Sequence, residues 1–335
     1  MDSSVAALLI KESGALCGGA VMRLMPSEKS AAEADDARRA AERIGIPFYI
    51  FELTGEFASC VIDDFISAYR KGFTPNPCVV CNRVMKFGLF FDRAAELGYD
   101  SMATGHYARI FFDAGAKRWG LKKGADESKD QSYVLYSLTQ AQLSRTLFPL
   151  GELNKAQVRE AALESSLENA KKRESQDICF VPDGDYVSFI ERRTGVPARP
   201  GDFVTESGDV VGRHRGIERY TIGQRRGLGL SLREPLYVCG KRADDNTVIL
   251  GKNEDLYSTR FTASNINLIT CEKITGPLRV MAKVRYRAKE EPAVVEQISE
   301  DRMLVEFDRP QRAVTPGQAA VLYDGDCVVG GGTID

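Results

Sequence analysis

Cys78 and Cys81 stand in the run TPNPCVVCN (74–82), two thiols about one helical turn apart behind a proline-rich turn. Such a pair could be half of a zinc site, a redox pair, or a place where sulfur chemistry is done on a substrate. A closed structural zinc site needs four ligands. The chain offers only two histidines, His106 and His214, and no second close pair of cysteines, which counts against zinc. A thioredoxin-like pair opens a helix directly after a strand, whereas the approach here is a turn. The spacing leaves at least Cys81 near the N-terminus of the following helix, where the positive dipole end favours thiolate. Two ordinary buried thiols would read the same way. A third thiol, Cys179, lies among Ile178, Phe180 and Val181 in SQDICFVPDGDY (175–186), a pattern that a buried strand also satisfies.

Other residues could meet a ligand. Gly105 and His106 in ATGHYARI close an expected parallel strand, and ligands of open α/β sheets bind at the carboxyl ends of strands. A glycine there lets a base or ribose approach the backbone, although His106 could equally be a hydrogen-bonded structural histidine. In KDQSYVLYSL (129–138), Asp130 reads as a cap for an amphipathic helix. KVRYRAK (283–289) reads as a strand with Lys283, Arg285 and Arg287 on one face and Tyr286 on the other. Such a row suits RNA phosphates.

These residues must be positioned by a chain of 335 residues, 43% hydrophobic, which is long enough for more than one core. The formal charge is −2, and the eight cysteines are spread thinly, unlike the dense frameworks of small secreted domains. No run of eighteen apolar residues and no basic-then-apolar leader occurs. The expectation is a soluble cytoplasmic protein with no membrane contact. Residues 192–242 carry eleven Lys/Arg against five Asp/Glu, a basic stretch that could face phosphate.

The first third alternates helical and strand patterns: SSVAALLIKESG, LCGGAVMRL, AAEADDARRAAERIG, PFYIFEL and EFASCVIDDFISAYRKG. This rhythm predicts a parallel sheet with helices on both faces. From about residue 200, short runs such as LYVCGKR, TVILGK, AVVEQI and RMLVEFD predict small barrels or sandwiches. GGGT (330–333) reads as a turn or strand end. The divisions fall at 1–182 for an α/β domain, 183–254 for a small, mostly β domain and 255–335 for a β-barrel. Nothing suggests a symmetric helical interface, so a monomer is expected.

In their shared order, MDSSVAALL, TPNPCVVCNRVMKFG, ATGHYARI, KDQSYVLYSL, LFPLGEL, SQDICFVPDGDY, TIGQRRGLG, VRYR and TPGQAAVLYDGD make the chain resemble the tRNA-specific 2-thiouridylases. That family replaces an oxygen of the wobble uridine of tRNA by sulfur at the expense of ATP. The resemblance implies an adenine-nucleotide alpha-hydrolase-like first domain whose phosphate loop reads Ser-Gly-Gly-x-Asp-Ser, of which only Asp2, Ser3 and Ser4 match the end. The strand and Ser-Gly-Gly before them are expected to be missing, and the chain as written should then bind ATP poorly.

Carried over by position, Cys81 is the catalytic nucleophile and Cys179 the persulfide carrier, with a Cys81–Cys179 disulfide as one intermediate. Asn76, Pro77 and Cys78 would lie against the target base; many relatives have Asp where this chain has Cys78, which puts any acid–base role there in doubt. Met22 and Gly105 would contact adenosine, and Asp2, Ser3 and Ser4 the phosphates with Mg²⁺. His106, Lys129, Asp130, Gln131, Arg285, Tyr286 and Gln318 would contact the tRNA around its anticodon loop. The resemblance implies no resident metal and a sulfur donor of the cysteine desulfurase or sulfur-relay kind. The rival readings are an ATP-dependent adenylating ligase, which needs no thiols, and a tRNA-binding remnant without ATP activity.

Overall fold

The structure is a computed structural model that describes residues 1–167, 178–231 and 234–335. Ser175, Gln176 and Asp177 of the Cys179 segment, and Arg233 of the basic stretch, lie outside the described residues. Two short apolar strands, β1 (Gly19–Arg23) and β2 (Phe48–Glu52), pair in parallel from Gly19 opposite Phe48 to Arg23 opposite Glu52. Parallel neighbours need a crossover, and the helix Glu28–Ile44 supplies it. Ser27 caps that helix by accepting from the Ser30 amide, and Gly45 ends it in the left-handed region at φ 76°. A second parallel pair joins β3 (Met102–Ala103) to β6 (Thr146–Leu147). The expectation of parallel α/β structure holds.

Two long helices follow β2. Residues 54–70 and 77–96 are each helical throughout, but each contains a π-helical stretch, Ala58–Ile62 in the first and Cys81–Phe90 in the second. Winding of this kind is rare and has no signature in hydrophobic periodicity. The two helices share an apolar core with Leu53, Phe57, Val61, Phe65, Met85, Phe180 and Ile190.

β7 (Gly201–Thr205), β8 (Val210–His214), β9 (Tyr237–Arg242) and β10 (Thr247–Gly251) form a sheet in the order β8-β7-β10-β9 around Phe203, Tyr220, Val238 and Val248. β11 (Tyr257–Leu268), β12 (Leu278–Lys283), β13 (Glu291–Gln297), β14 (Arg302–Arg312), β15 (Ala319–Asp324) and β16 (Cys327–Ile334) are antiparallel. Because β16 also pairs with β11, they close into a six-stranded barrel without free edges. The hairpin β4 (Ala108–Asp113) and β5 (Arg118–Lys123) lies against β16 through Lys122 opposite Cys327, which ties the first third of the chain to the barrel. One core accordingly spans both: Tyr133, Leu135 and Leu138 pack with Val321, Tyr323 and Val328.

Three local expectations are corrected. KVRYRAK is not one strand: β12 ends at Lys283 and residues 284–288 form a bend and turn, so the three cations do not share a strand face. KDQSYVLYSL does not open an amphipathic helix but a single 3-10 turn, Ser132–Val134, because its apolar residues go into the barrel-facing core. GGGT is strand interior within β16, and its glycines are there for close packing. A Cβ on Gly331 would lie 2.5 Å from the Ala320 carbonyl oxygen and 2.6 Å from the Tyr136 ring. Gly331→Ala should cost about 1–3 kcal/mol through overpacking, read as a lower urea midpoint at unchanged slope.

Candidate functional site

The turn before the thiols is built by local chemistry. Asn76 adopts an extended backbone (φ −110°, ψ 90°) and its side-chain oxygen accepts from the Cys78 amide at 3.2 Å, capping the helix whose first residue is Pro77. Proline at that position loses no helical hydrogen bond. Cys78 follows in the first turn and is exposed, while Cys81 begins the π-helical stretch and is half-buried. The barrel holds this turn from the other side. The Thr74 amide donates to the Pro316 carbonyl at 2.9 Å, and Gln318 Nε2 donates to the Thr74 carbonyl at 2.7 Å. Between them Gly317, at φ 89°, packs so closely that a Cβ would stand 3.0 Å from both the Phe73 Cβ and the Thr74 nitrogen.

Cys179 arrives from far along the chain. Its neighbour Phe180 is buried edge-on among Phe57, Phe65 and Phe189, with ring centroids 5.7, 5.2 and 5.3 Å away. Val181 is buried beside it, and Ile178 packs on the cluster that also receives Val80 and Cys81. The anchored apolar residues leave Cys179 exposed. All three thiols are free, so the cysteines 81 and 179 are reduced in the structure.

Electrostatics shows that these sulfurs share one neighbourhood. Burial pushes the Cys81 thiol up to about 11, opposed by Lys86 and reinforced by Cys179 and Cys78. Burial raises Cys179, with Cys78 adding to it and Lys86 opposing. Burial raises Cys78 as well, against Lys86 alone. Cys78 and Cys179 keep solvent-exposed surface although burial by their surroundings raises both thiols.

His106 sits behind Lys86. It is buried between Phe87 and Phe148, its Nδ1 is 2.7 Å from Thr104 Oγ1, and its Nε2 is 3.5 Å from Lys86 Nζ. Desolvation first, and the Lys86 charge second, hold its pKa well below the ordinary value, so the ring is neutral. With only 7% of its surface open, His106 acts on anything outside through Lys86. Lys86 itself was not legible in the sequence. It lies five residues after Cys81, and α-helical projection puts that position on another face.

The remaining candidates are mostly tied to the fold. Asp130 accepts from the Ser132 amide and hydroxyl at 3.1 and 2.8 Å and from the Gly124 amide at 3.1 Å, so it caps the 3-10 turn rather than an α-helix. Gln131 clamps the strand entrance through the Tyr107 amide at 3.0 Å, and the Lys129 amide donates to the Asp126 carbonyl. Arg285 donates to the Ala313 carbonyl and to Thr315 Oγ1. Tyr286 is 41% exposed, reaches the Asp130 carbonyl at 3.2 Å, and its charge interaction with Cys78 places its hydroxyl near the thiols.

At the N-terminus of the first helix, Asp2 is paired to Lys155 at 2.8 Å and Ser4 is buried. Met22, within β1, packs on the same core as Cys81. A Cβ on Gly105 would lie 2.6 Å from the Asp2 carbonyl carbon and the Ser3 nitrogen, so the glycine admits the first turn of the helix Asp2–Glu12. In the basic stretch, Arg213, Arg219 and Arg242 pair with Asp202, Glu191 and Asp245, and the half-buried Lys241 donates to the Tyr220 carbonyl. Its phosphate-facing charge is therefore smaller than the count suggests. Arg193 does line an open cleft of about 570 Å³ with Arg70 and Lys71, against Asp63.

A thiol reacts as thiolate, so raising its pKa extends the protonated form to higher pH. Alkylation of Cys81 in the unliganded protein should stay slow at neutral pH and climb toward about pH 11, as mapped by peptide mass spectrometry across a pH series. A rate for Cys81 that levels off near pH 8 would contradict this environment.

Three family descriptions match the chain in series: a tRNA methyl transferase HUP domain over residues 1–183, a tRNA methyl transferase PRC-barrel domain over 188–252 and an aminomethyltransferase β-barrel domain over 258–334. The tRNA-specific 2-thiouridylase MnmA of Acetivibrio thermocellus is 46% identical over 345 residues, spanning 100% of this chain and 96% of the relative. MnmA 2 of Thermoanaerobacter sp. (strain X514) is 48% identical and MnmA of Clostridioides difficile (strain 630) 44% identical, each over 100% of this chain and 95% of the relative. The domain descriptions speak of methyl transfer and the relatives' names of thiolation; of the two, thiolation is the chemistry that uses converging thiols. With its whole length matched at this identity, the chain belongs to the tRNA-specific 2-thiouridylase family.

Proposed function

We propose that this protein thiolates the 2-position of the wobble uridine in tRNA, using ATP to activate the oxygen and a persulfide on Cys179 to deliver sulfur. The observation that carries the reading is the convergence of Cys179 with Cys78 and Cys81 across about a hundred residues of sequence, beside one cation. An adenylating ligase would have no use for that arrangement.

The C2 oxygen of uridine is a poor leaving group until ATP converts it to an adenylate with loss of pyrophosphate. This chain offers the nucleotide the exposed Ser3 hydroxyl and the N-terminal end of the helix Asp2–Glu12, a favourable place for phosphate, with Ser4 buried behind it and Met22 toward the adenosine. Mg²⁺ would enter with the phosphates, since a small hard cation is commonly held through substrate oxygens. Asn76, Pro77 and Cys78 lie against the base.

A donor persulfide, from a cysteine desulfurase or sulfur-relay protein, passes its outer sulfur to the Cys179 thiolate and leaves as a thiol. The terminal sulfur of Cys179 then attacks C2, and AMP departs with the oxygen. Cys81 attacks the inner sulfur, closing a Cys81–Cys179 disulfide while the electron pair of the broken S–S bond stays on the base as the thiocarbonyl sulfur. Two equivalents of an external thiol, or one dithiol, reduce the disulfide and reset the pair, leaving as their own disulfide. The other route, in which Cys81 releases free sulfide from the persulfide before attack, uses the same two residues. Alpha carbons of a closed pair stand roughly 4.4–6.8 Å apart, which the segment bearing Cys179 must satisfy.

Tyr286, Lys129 and the Arg70, Lys71 and Arg193 cleft are the groups with surface to offer the RNA, whereas Arg285, Asp130, Gln131, Gln318 and His106 support the surfaces that meet it.

Peptide mapping after incubation with a persulfide donor should find one additional sulfur on Cys179, absent in Cys179→Ser and retained in Cys81→Ser; an extra sulfur that never appears at Cys179 would refute the carrier role. Both variants should lose tRNA thiolation altogether, scored as 2-thiouridine by nucleoside mass spectrometry. Affinity for tRNA should fall steeply, by an order of magnitude or more between about 50 and 200 mM salt, since phosphate contacts release counterions.

A further inference from the structure

The helix that carries Cys81 is wound so that a residue five positions on returns to nearly the same face. In an α-helix, five residues advance the side chain by roughly 140° past a full turn, which would point Lys86 away from Cys81. Over Cys81–Phe90 the winding is π-helical, with i to i+5 hydrogen bonding. The π register therefore puts the Lys86 ammonium on the thiol face.

We propose that Lys86 is the thiolate-stabilising residue of the sulfur-transfer site, turned toward Cys78, Cys81 and Cys179 by the π-helical register and steadied from behind by His106. This rests on the thiolation reading for its purpose, though not for its test.

Three observations support it. Lys86 is the one side chain whose charge acts against burial at all three thiols. Its partner is a neutral histidine and not a carboxylate: among the described residues Lys86 has no ion pair, whereas Lys123 and Lys155 are spent on Glu290 and Asp2. The buried network also orients it. With Lys86 donating to Nε2, the His106 proton sits on Nδ1 and donates to Thr104 Oγ1 at 2.7 Å, a tautomer that follows from the hydrogen bonding. A charged His106 would repel Lys86, and desolvation between Phe87 and Phe148 keeps it neutral.

The chemical consequence is a shared counter-charge. Each step of the proposed sequence needs a sulfur anion: the Cys179 thiolate before it takes up sulfur, the Cys179 persulfide anion before it attacks C2, and the Cys81 thiolate before it attacks. One ammonium whose charge reaches all three sulfurs stabilises each thiolate in turn, as preorganised charge does in a partly dehydrated site. Lys86 is thus a positioning and electrostatic residue, with no bond made to it.

The test is the pH–rate profile of alkylation at Cys78, Cys81 and Cys179, read by peptide mass spectrometry in the full chain without tRNA or ATP. Lys86→Gln keeps an N–H for His106 and removes the charge. All three profiles should move to higher pH by about half to one unit, seen as roughly threefold to tenfold slower alkylation near neutral pH, and Lys86→Arg should restore them. The other titratable groups of this region, Tyr286, which interacts with Cys78, and His106, behind Lys86, are unchanged in these variants. Profiles that do not move in a folded Lys86→Gln protein, judged by its circular dichroism and thermal midpoint, overturn the proposal. If Lys86→Gln does not fold, Lys86→Met replaces it. If neither folds, the unaltered protein is read at rising ionic strength, where screening should carry the three profiles upward together and invariance overturns it. Moved profiles in a protein that fails to thiolate tRNA would sink the thiolation reading and leave Lys86 in place; unmoved profiles in an active enzyme would do the reverse.

Discussion

Burial of Phe180 is what brings the distant thiol to the helix that bears the other two. Its ring meets Phe57, Phe65 and Phe189 at angles between 49° and 88°, and it is 5% exposed. Burying such a ring contributes about 2–3 kcal/mol, and each well-oriented aromatic neighbour adds about 0.5–1.5 kcal/mol. Ordering a backbone residue costs about 1–2 kcal/mol. The anchor can therefore hold Ile178–Val181 in place but has little surplus for a long segment. A thiol beside such an anchor keeps a fixed address near Cys81 while staying exposed to solvent.

The opposite wall depends on a different kind of contact. The turn 73–77 is held by backbone and amide groups of the barrel, through Pro316, Gly317 and Gln318, and not by an apolar patch. Hydrogen bonds of this kind are directional, so the barrel sets the orientation of Asn76, Pro77 and Cys78 as well as their position. This gives the C-terminal domain a part in the site although it contributes no thiol. Arg285 belongs to the same joint: its guanidinium is committed to Ala313 and Thr315, in the segment that leads into Pro316.

Within the site two opposing terms compete. Desolvation raises all three thiols and the Lys86 charge lowers them, and desolvation is the larger at each. The resting sulfurs are therefore protonated, a state that resists stray oxidation, since the thiolate is the reactive form. Under the proposed sulfur transfer, negative charge would appear there as the reaction generates it, within reach of the Lys86 charge.

Much of this protein was legible in its sequence. The alternation of short apolar strands with capped helices requires parallel pairing, because a crossover helix leaves no other arrangement, and β1 and β2 obey it. The short β runs of the last third announced sheets and a barrel, and Asn-Pro-Cys announced a capped helix start, because both are written in local patterns of period and side-chain hydrogen bonding. What the sequence could not carry was anything that depends on partners far along the chain. Lys283, Arg285 and Arg287 look like a strand row until the barrel bends the chain after Lys283. GGGT looks like a turn until Tyr136 and Ala320 are seen to fill the space beside it. His106 looks like a ligand until Phe87 and Phe148 close over it. Above all, residue types and order determined which thiols are present, whereas tertiary packing alone decided that they share one neighbourhood. The π winding that aims Lys86 belongs with the latter, since it is a choice of hydrogen-bond register that leaves no mark in the period of apolar residues.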